Sequence, residues 1–199
     1  MKVLLIGATG TIGSAVYRLI SPRHEVMTAG RSEGDVRVDI TSTDSITAMY
    51  ESVGKVDAVI STPGASFFGP LAELTPERNE IAIESKLKGQ INIVLLGIPY
   101  MRERGSFTLT TGITMDDPVK GGASAAMACG AVSAFVKAAS LDMPDGIRIN
   151  HVSPGLLEES KDKYSAFFPG FEPVPGTRVA QAYLKSLEGA QTGQTYRVY

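Results

Sequence analysis

The chain has 199 residues, 43% of them hydrophobic and 20% charged, with a formal net charge of −2 at pH 7. This is enough chain for one domain with a sizeable core, and without a basic surplus nucleic acid is not an expected partner. The single cysteine forbids an internal disulfide, the apolar start is too short for a secretory signal and no run reaches membrane-spanning length, so one domain over residues 1–199, cytoplasmic and away from membranes, is expected.

In chain order, Val3-Leu4-Leu5-Ile6 is an apolar run of strand length. It ends in Gly7-Ala8-Thr9-Gly10-Thr11-Ile12-Gly13, which leads into a helical pattern from Ser14 to Ile20. Closely spaced glycines let the backbone turn tightly. The next helix then points its free N–H groups and positive dipole end above the turn, which suits a diphosphate. The spacing is G-x-x-G-x-x-G and not G-x-G-x-x-G, so the loop by itself leaves open a plain strand-to-helix turn.

Residues 24–28 read as a second strand, ending at Ala29-Gly30-Arg31-Ser32. In a dinucleotide fold this strand end lies under the adenosine ribose, where an acid would bind the 2′-hydroxyl of NAD. No acid stands there. Arg31 and Ser32 instead offer a planar cation and a hydroxyl, a pair suited to a 2′-phosphate, in a contact of roughly 1.5–3 kcal/mol. NADP is therefore expected over NAD, the alternative being a solvated arginine in a turn.

Residues 35–40 form a further short strand, followed by a helix capped at Thr41 or Thr43 with Ile46, Met49, Tyr50 and Val53 on one face. Residues 56–60 are a buried strand whose end, Ser61-Thr62-Pro63-Gly64-Ala65, is small enough for a ligand to approach the backbone. Thr75-Pro76-Glu77 starts a helix that runs, with a break near Gly89, to Met101, with Pro99 bending its last turn. A strand at 107–110 ends in Thr110-Thr111-Gly112. The Ala-rich helix at 123–141 carries almost no charge before Lys137 and needs cover on both sides, from its sheet or from a second subunit. A strand at 147–152, a turn at Ser153-Pro154-Gly155, a helix at 179–187 and a strand at 195–198 complete the chain.

Strands alternating with helices predict an α/β, Rossmann-type, doubly wound parallel sheet of about seven strands in three αβα layers. Ligands of such sheets bind above the carboxyl ends of the strands. The Gly7 loop, Arg31-Ser32, Ser61 to Gly64 and Ser153 to Gly155 all fall there.

The order of these motifs resembles the short-chain dehydrogenase/reductase family along nearly the whole chain. Gly7 to Gly13 looks like its cofactor loop, and Asp39-Ile40 like the pair that contacts adenine. Val56-Asp57-Ala58-Val59-Ile60-Ser61-Thr62-Pro63-Gly64 sits where the family has a strand and an Asn-Asn-Ala-Gly turn. Gly146-Ile147-Arg148-Ile149-Asn150-His151-Val152-Ser153-Pro154-Gly155 is close to the family's Gly-Ile-Arg-Val-Asn-x-Val-x-Pro-Gly, and Thr192-Gly193-Gln194-Thr195 resembles its penultimate turn. The resemblance implies cofactor contacts from Gly7, Thr9, Gly10, Thr11, Ile12, Gly13, Arg31, Ser32, Asp39, Ile40, Ser61, Thr62, Gly64, Pro154 and Gly155.

At the chemistry the match fails. The family's general-acid Tyr falls on Ala125 and its Lys on Cys129, while its Ser falls on Thr111, its Asn on Lys86 and its nicotinamide-contacting Thr on Glu159, beside Ser160. An alanine carries no proton, and a thiol in an apolar helix behaves as a small hydrophobe. No catalytic residue is therefore assigned. Lys86 is either an inward cation or a solvated neighbour of Lys88. Tyr164, near Lys161 and Lys163 in the lid segment 156–175, is either a replacement for the lost Tyr or a packed loop aromatic. Phe167, Phe168 and Phe171 either line a pocket or meet a second subunit. Asp116-Asp117 reads as a solvated turn. His24 and His151 have no partners at ligand spacing, so no metal site is expected.

The expectation is an NADP(H)-binding protein, either a divergent oxidoreductase acting on an unknown small carbonyl or alcohol or a non-catalytic dinucleotide sensor or interaction protein. A homodimer or homotetramer is expected through the Ala-rich helix and the helix ending near Met101.

Overall fold

In the computed structural model, which describes Met1–Tyr199, the strands are β1 (Lys2–Ile6), β2 (Glu25–Gly30), β3 (Val36–Arg37), β4 (Val56–Ser61), β5 (Met101–Thr110), β6 (Arg148–Pro154) and β7 (Thr195–Val198). They form a single seven-stranded sheet in the order β3-β2-β1-β4-β5-β6-β7, parallel throughout. The winding reverses between β1 and β4, which places the switch-point crevice of an α/β sheet at the carboxyl end of β1.

The helices are α1 (Thr11–Ile20), α2 (Thr43–Val53), α3 (Pro76–Ile81), α4 (Gln90–Gly97), α5 (Ala123–Ala139), α6 (Lys161–Tyr164) and α7 (Gly176–Glu188). They cover both faces, and alternation along β1 sorts its residues between two cores. Leu4 and Ile6 pack with Val59, Phe107 and Leu109 against Ile46 and Met49 of α2, Ile93 of α4 and Val132 of α5. Val3 and Leu5 pack with Ala58 and Ile60 against Val16 and Ile20 of α1 and Val179 and Tyr183 of α7. A strand buried on both faces needs apolar residues at every position, which is why β1 reads as a continuous run. Burial contributes roughly 1.5–3 kcal/mol for each large apolar side chain. No helix is long and apolar enough to cross a membrane.

Several boundaries depart from expectation for local reasons. The first helix begins at Thr11, not Ser14, because Gly10 serves as its cap. β2 runs on to Gly30, whereas β3 keeps only two of the six residues expected of it. Asp35 is withdrawn from that strand: its carboxylate accepts from the N–H and the hydroxyl of Thr28, both at 2.8 Å. The cap of α2 is Ser42, whose hydroxyl accepts from Ser45 N–H at 3.2 Å. Thr43 is already helical, and the Thr41 hydroxyl donates to Asp39 instead. β5 starts at Met101, so that residue begins a strand and does not end a helix. α5 stops at Ala139, and β6 continues through Pro154, so the turn expected at 153–155 begins only at Gly155, whose N–H donates to Val198 O at 2.8 Å. α7 starts earlier than expected, at Gly176.

Thr75 caps α3 with Pro76 at its first position, as expected. The break near Gly89 does not occur. The chain passes through a π-helical segment, Ala82–Gly89, into α4, and ends in a 3₁₀ turn at Ile98–Tyr100. Gly89 is needed for packing: a Cβ there would stand 2.9 Å from the Ile40 carbonyl. Gln90, fully buried, joins the wide segment to the sheet. Its amide donates to Lys86 O at 2.9 Å and to Thr110 O at 2.8 Å, and its carbonyl accepts from Thr110 N–H at 2.8 Å.

Candidate functional site

The site begins with a contact that only glycine allows. Gly7 has φ +85°, and a Cβ on it would stand 2.7 Å from Thr62 Oγ1 and 2.9 Å from Pro63 Cδ. A Cβ on Gly13 would collide with the Gly7 carbonyl. The Thr62 hydroxyl, 2.9 Å from Ile6 O and 3.1 Å from Gly7 O, ties the loop to the end of β4. The first bond of α1 runs from Ser14 N–H to Gly10 O at 2.8 Å, so the N–H groups of Thr11, Ile12 and Gly13 have no backbone acceptor. An anion is favoured at such a helix start.

Two cavities lie along the carboxyl ends of the strands. The first, of about 410 Å³, is lined by Gly7, Thr9, Arg31, Ser32, Asp39 and Ile40, among others. Asp39 accepts from Thr41 N–H at 3.0 Å and from the Thr41 hydroxyl at 2.8 Å. These bonds, helped by the charge of Arg31, hold its carboxyl below the usual carboxylate range. The second cavity, of about 470 Å³, meets the first at Gly64 and Ala65. Its walls include Lys86, Thr111, Ala125, Cys129, Pro154, Gly155, Ser160 and Tyr164.

Of the alternatives left open at Lys86, the inward one holds: its Nζ lies 3.0 Å from where a Cβ on Gly64 would be. Tyr164 reaches the cavity from the lid, with its ring 5.6 Å from that of Phe68. The lid phenylalanines gather on Phe68 as well, Phe167 at 5.4 Å and Phe168 at 6.2 Å, and Phe171 meets Phe168 edge-on. Other expected residues lie off the walls. Ser61 is fully buried with no partner for its hydroxyl, and neither Ser61 nor Thr62 lines either of these two cavities. Glu159 accepts from Gly176 N–H at 2.9 and 3.1 Å, so its carboxylate caps the start of α7. Asp116 is exposed in a turn, as expected, and is paired there: Arg197 and Tyr199 donate to it, and they hold its carboxyl below the usual range.

Sequence reasoning missed the role of His151. It is fully buried, with Nδ1 2.8 Å from Thr111 Oγ1 and Nε2 2.8 Å from Thr195 Oγ1. Burial, with the charges of Lys137 and Arg197 and against that of Asp116, lowers its pKa to about 4. The neutral ring donates on one nitrogen and accepts on the other, and so fixes a hydroxyl on the cavity wall. Thr111 Oγ1 also lies 3.2 Å from Val152 O, an acceptor for its proton.

Comparison with known proteins agrees with this architecture. A family model described as Enoyl-(Acyl carrier protein) reductase matches residues 9–191. The crystal structure of the protein lin1944 from Listeria innocua is 62% identical, with a TM-score of 0.99 and full coverage (100%) of both chains. A Streptomyces virginiae protein named for the ketoacyl reductase of a monensin polyketide synthase is 28% identical over 182 residues, covering 78% of this chain and 70% of that one. A small-chain dehydrogenase crystallised in complex with NADPH shares the fold, with 24% identity, a TM-score of 0.88 and coverage of 100% of this chain and 96% of that one. Across eight of the curated relatives it matches, this chain spans between 41% and 71% of their length.

The buried imidazole predicts a pH dependence of stability. Above pH 6.5 the ring is neutral in the folded and unfolded chain alike. As the pH falls from 6.5 to about 4 the unfolded chain gains a proton that the folded chain refuses. Stability is lost through that window at up to about 1.4 kcal/mol per pH unit. Urea unfolding at pH 7 and pH 4.5 should show a smaller acid loss for His151→Gln than for the wild type; equal losses would contradict this account.

Proposed function

The chain belongs to the short-chain dehydrogenase/reductase family, and from that premise we propose that it binds NADP(H) along the two joined cavities and acts as a divergent oxidoreductase on a small carbonyl or alcohol. The observation that carries this reading is the junction at Gly64 and Ala65, which links a glycine-walled, Arg31-bearing cavity to one lined by Lys86 and Thr111. The residues fit the cofactor: the missing Cβ atoms at Gly7 and Gly13 and the free N–H groups at the start of α1 suit a diphosphate. Arg31 and Ser32 suit a 2′-phosphate, Asp39 and Ile40 an adenine, and Gly64, Pro154 and Gly155 the nicotinamide end. Ser61 and Thr62 act by shaping the loop. When bound, the cofactor supplies a hydride.

The remaining chemistry belongs to the chain's own groups. The Thr111 hydroxyl, oriented by His151, stands where the family's Ser would hold the substrate oxygen. Ala125 and Cys129, which line the cavity, are the residues that align with the family's Tyr and Lys in this reading. A positioned general acid contributes about 10²–10⁴ in rate, so turnover through other groups is expected to be slow. The same two residues favour a second reading, a dinucleotide sensor without turnover.

Assembly into a homodimer or homotetramer belongs to the same proposal. Leu95 of α4 and Met127 of α5 are 54% and 41% exposed, on the helices the family uses between subunits. Sedimentation should show an oligomer that dissociates on dilution; a monomer at all concentrations would contradict it.

Calorimetry with Arg31→Ala should show NADP weakened about tenfold or more, in keeping with a contact of 1.5–3 kcal/mol, and NAD little changed. Equal loss for both would refute the phosphate assignment. NADPH oxidation across a panel of carbonyls separates the two readings. Turnover that falls in Thr111→Val marks an enzyme, and none with any substrate marks the sensor.

A further inference from the structure

The second cavity has a charge pattern that cofactor binding does not explain. Its walls carry two cations, Lys86 from the π-helical segment and Lys163 from the lid, and no carboxylate. Neither ammonium has an acidic partner. The contrast with the next lysine along the same segment is direct. Lys88 faces outward and is paired with Glu80 and Glu84, whereas Lys86 is half-buried and turned toward Gly64. Its backbone is held in that place by Gln90, which ties Lys86 O to the end of β5. The acids nearest to Lys163 in sequence do not compensate it at the wall: Glu159 is engaged with Gly176 N–H, and neither Glu158 nor Asp162 lines the cavity.

The rest of the wall combines uncharged hydroxyl side chains, Ser66, Thr111, Thr114 and Ser160, with an apolar, aromatic side. Phe68, Tyr164 and Phe168 form a connected face, with ring centroids 5.6 and 6.2 Å from that of Phe68. Lys163 Nζ lies 5.0 Å from the centroid of the Tyr164 ring, which brings one cation to the edge of this face. A neutral apolar ligand would use the rings and leave the half-buried Lys86 and the exposed Lys163 without an anionic partner. A hydrophilic anion would do the reverse. A ligand with a carboxylate on a short aryl or alkyl body satisfies both, because an ammonium–carboxylate hydrogen bond is strongest where water is partly excluded.

We propose that this cavity is a site for small apolar carboxylic acids, with Lys86 and Lys163 binding the carboxylate and Phe68, Tyr164 and Phe168 packing the body. The proposal narrows the substrate of the oxidoreductase proposed above to carbonyls or alcohols that also carry a carboxylate on a short apolar body, and it rests on that reading for the presence of the cofactor alongside. The anion site itself stands on the lysines and the rings.

The test is calorimetric titration of the full chain, with and without saturating NADP, using benzoate and 3-phenylpropionate against their uncharged amides. At least one acid should bind about tenfold more tightly than its amide. The preference should vanish in the Lys86→Gln/Lys163→Gln double variant and persist in the Lys86→Arg/Lys163→Arg variant, with thermal melting confirming that both fold. Equal binding of acid and amide, or a preference that survives in the double Gln variant, overturns the proposal. So does the failure of all four probes to bind to protein that binds NADP. Lysine-dependent acid binding by a protein that fails to bind NADP would instead overturn the cofactor reading and leave the anion site standing.

Discussion

The approach of Gly13 to the Gly7 carbonyl is the constraint on which the ligand-facing side of the molecule depends. It sets the start of α1 against the end of β1, and a single methyl group at Gly13 would push the two apart. Because that gap is closed, three N–H groups and the positive end of the helix dipole face the crevice where the sheet reverses its winding. The Thr62 hydroxyl holds the other wall, at the end of β4, to the Ile6 and Gly7 carbonyls. The ends of β1 and β4 and the start of α1 thus form one corner, from which the first cavity opens, and the second meets the first at Gly64 and Ala65.

Beyond the corner the wall is built differently. Ala125 and Cys129 add shape and no ready proton, and three polar groups on or beside the wall are held by partners distant in sequence or by the backbone. His151 orients Thr111, Gln90 anchors the turn that carries Lys86, and Glu159 is bound to the start of α7. Each buried partner would leave an unsatisfied donor or acceptor if removed, at a cost of about 1–3 kcal/mol per group. The charges left unpaired on the wall are therefore those of the lysines. This arrangement suits binding and orientation more than proton transfer.

Much of the fold was legible because burial writes itself into short-range pattern. The unbroken run at Val3 to Ile6, the helical face of Ile46, Met49, Tyr50 and Val53, and the Thr75-Pro76 start each carry their own cause. What escaped notice depends on partners distant in sequence or on a local competitor. Nothing around His151 indicates Thr111, 40 residues before it, or Thr195, 44 residues after it. Asp35 removed itself from β3 by bonding to Thr28, and a polar residue in a strand-like stretch gives no sign of that choice. Gly89 read as a helix breaker because the Ile40 backbone pressed against it lies on another element. In the site, the placing of the glycine loop and Arg31 around one crevice was readable. The inward turn of Lys86 required the π-helical segment, for which the sequence offers only a buried-looking glutamine among apolar neighbours.

The central claim is that the two joined cavities bind a reduced dinucleotide. NADPH fluorescence, titrated with the full chain at micromolar concentration, measures this without requiring turnover or a known substrate. A saturable change in emission, reversed by excess NADP, is predicted. An emission that stays constant at every protein concentration, together with no heat from NADP or NAD in calorimetry, would contradict it.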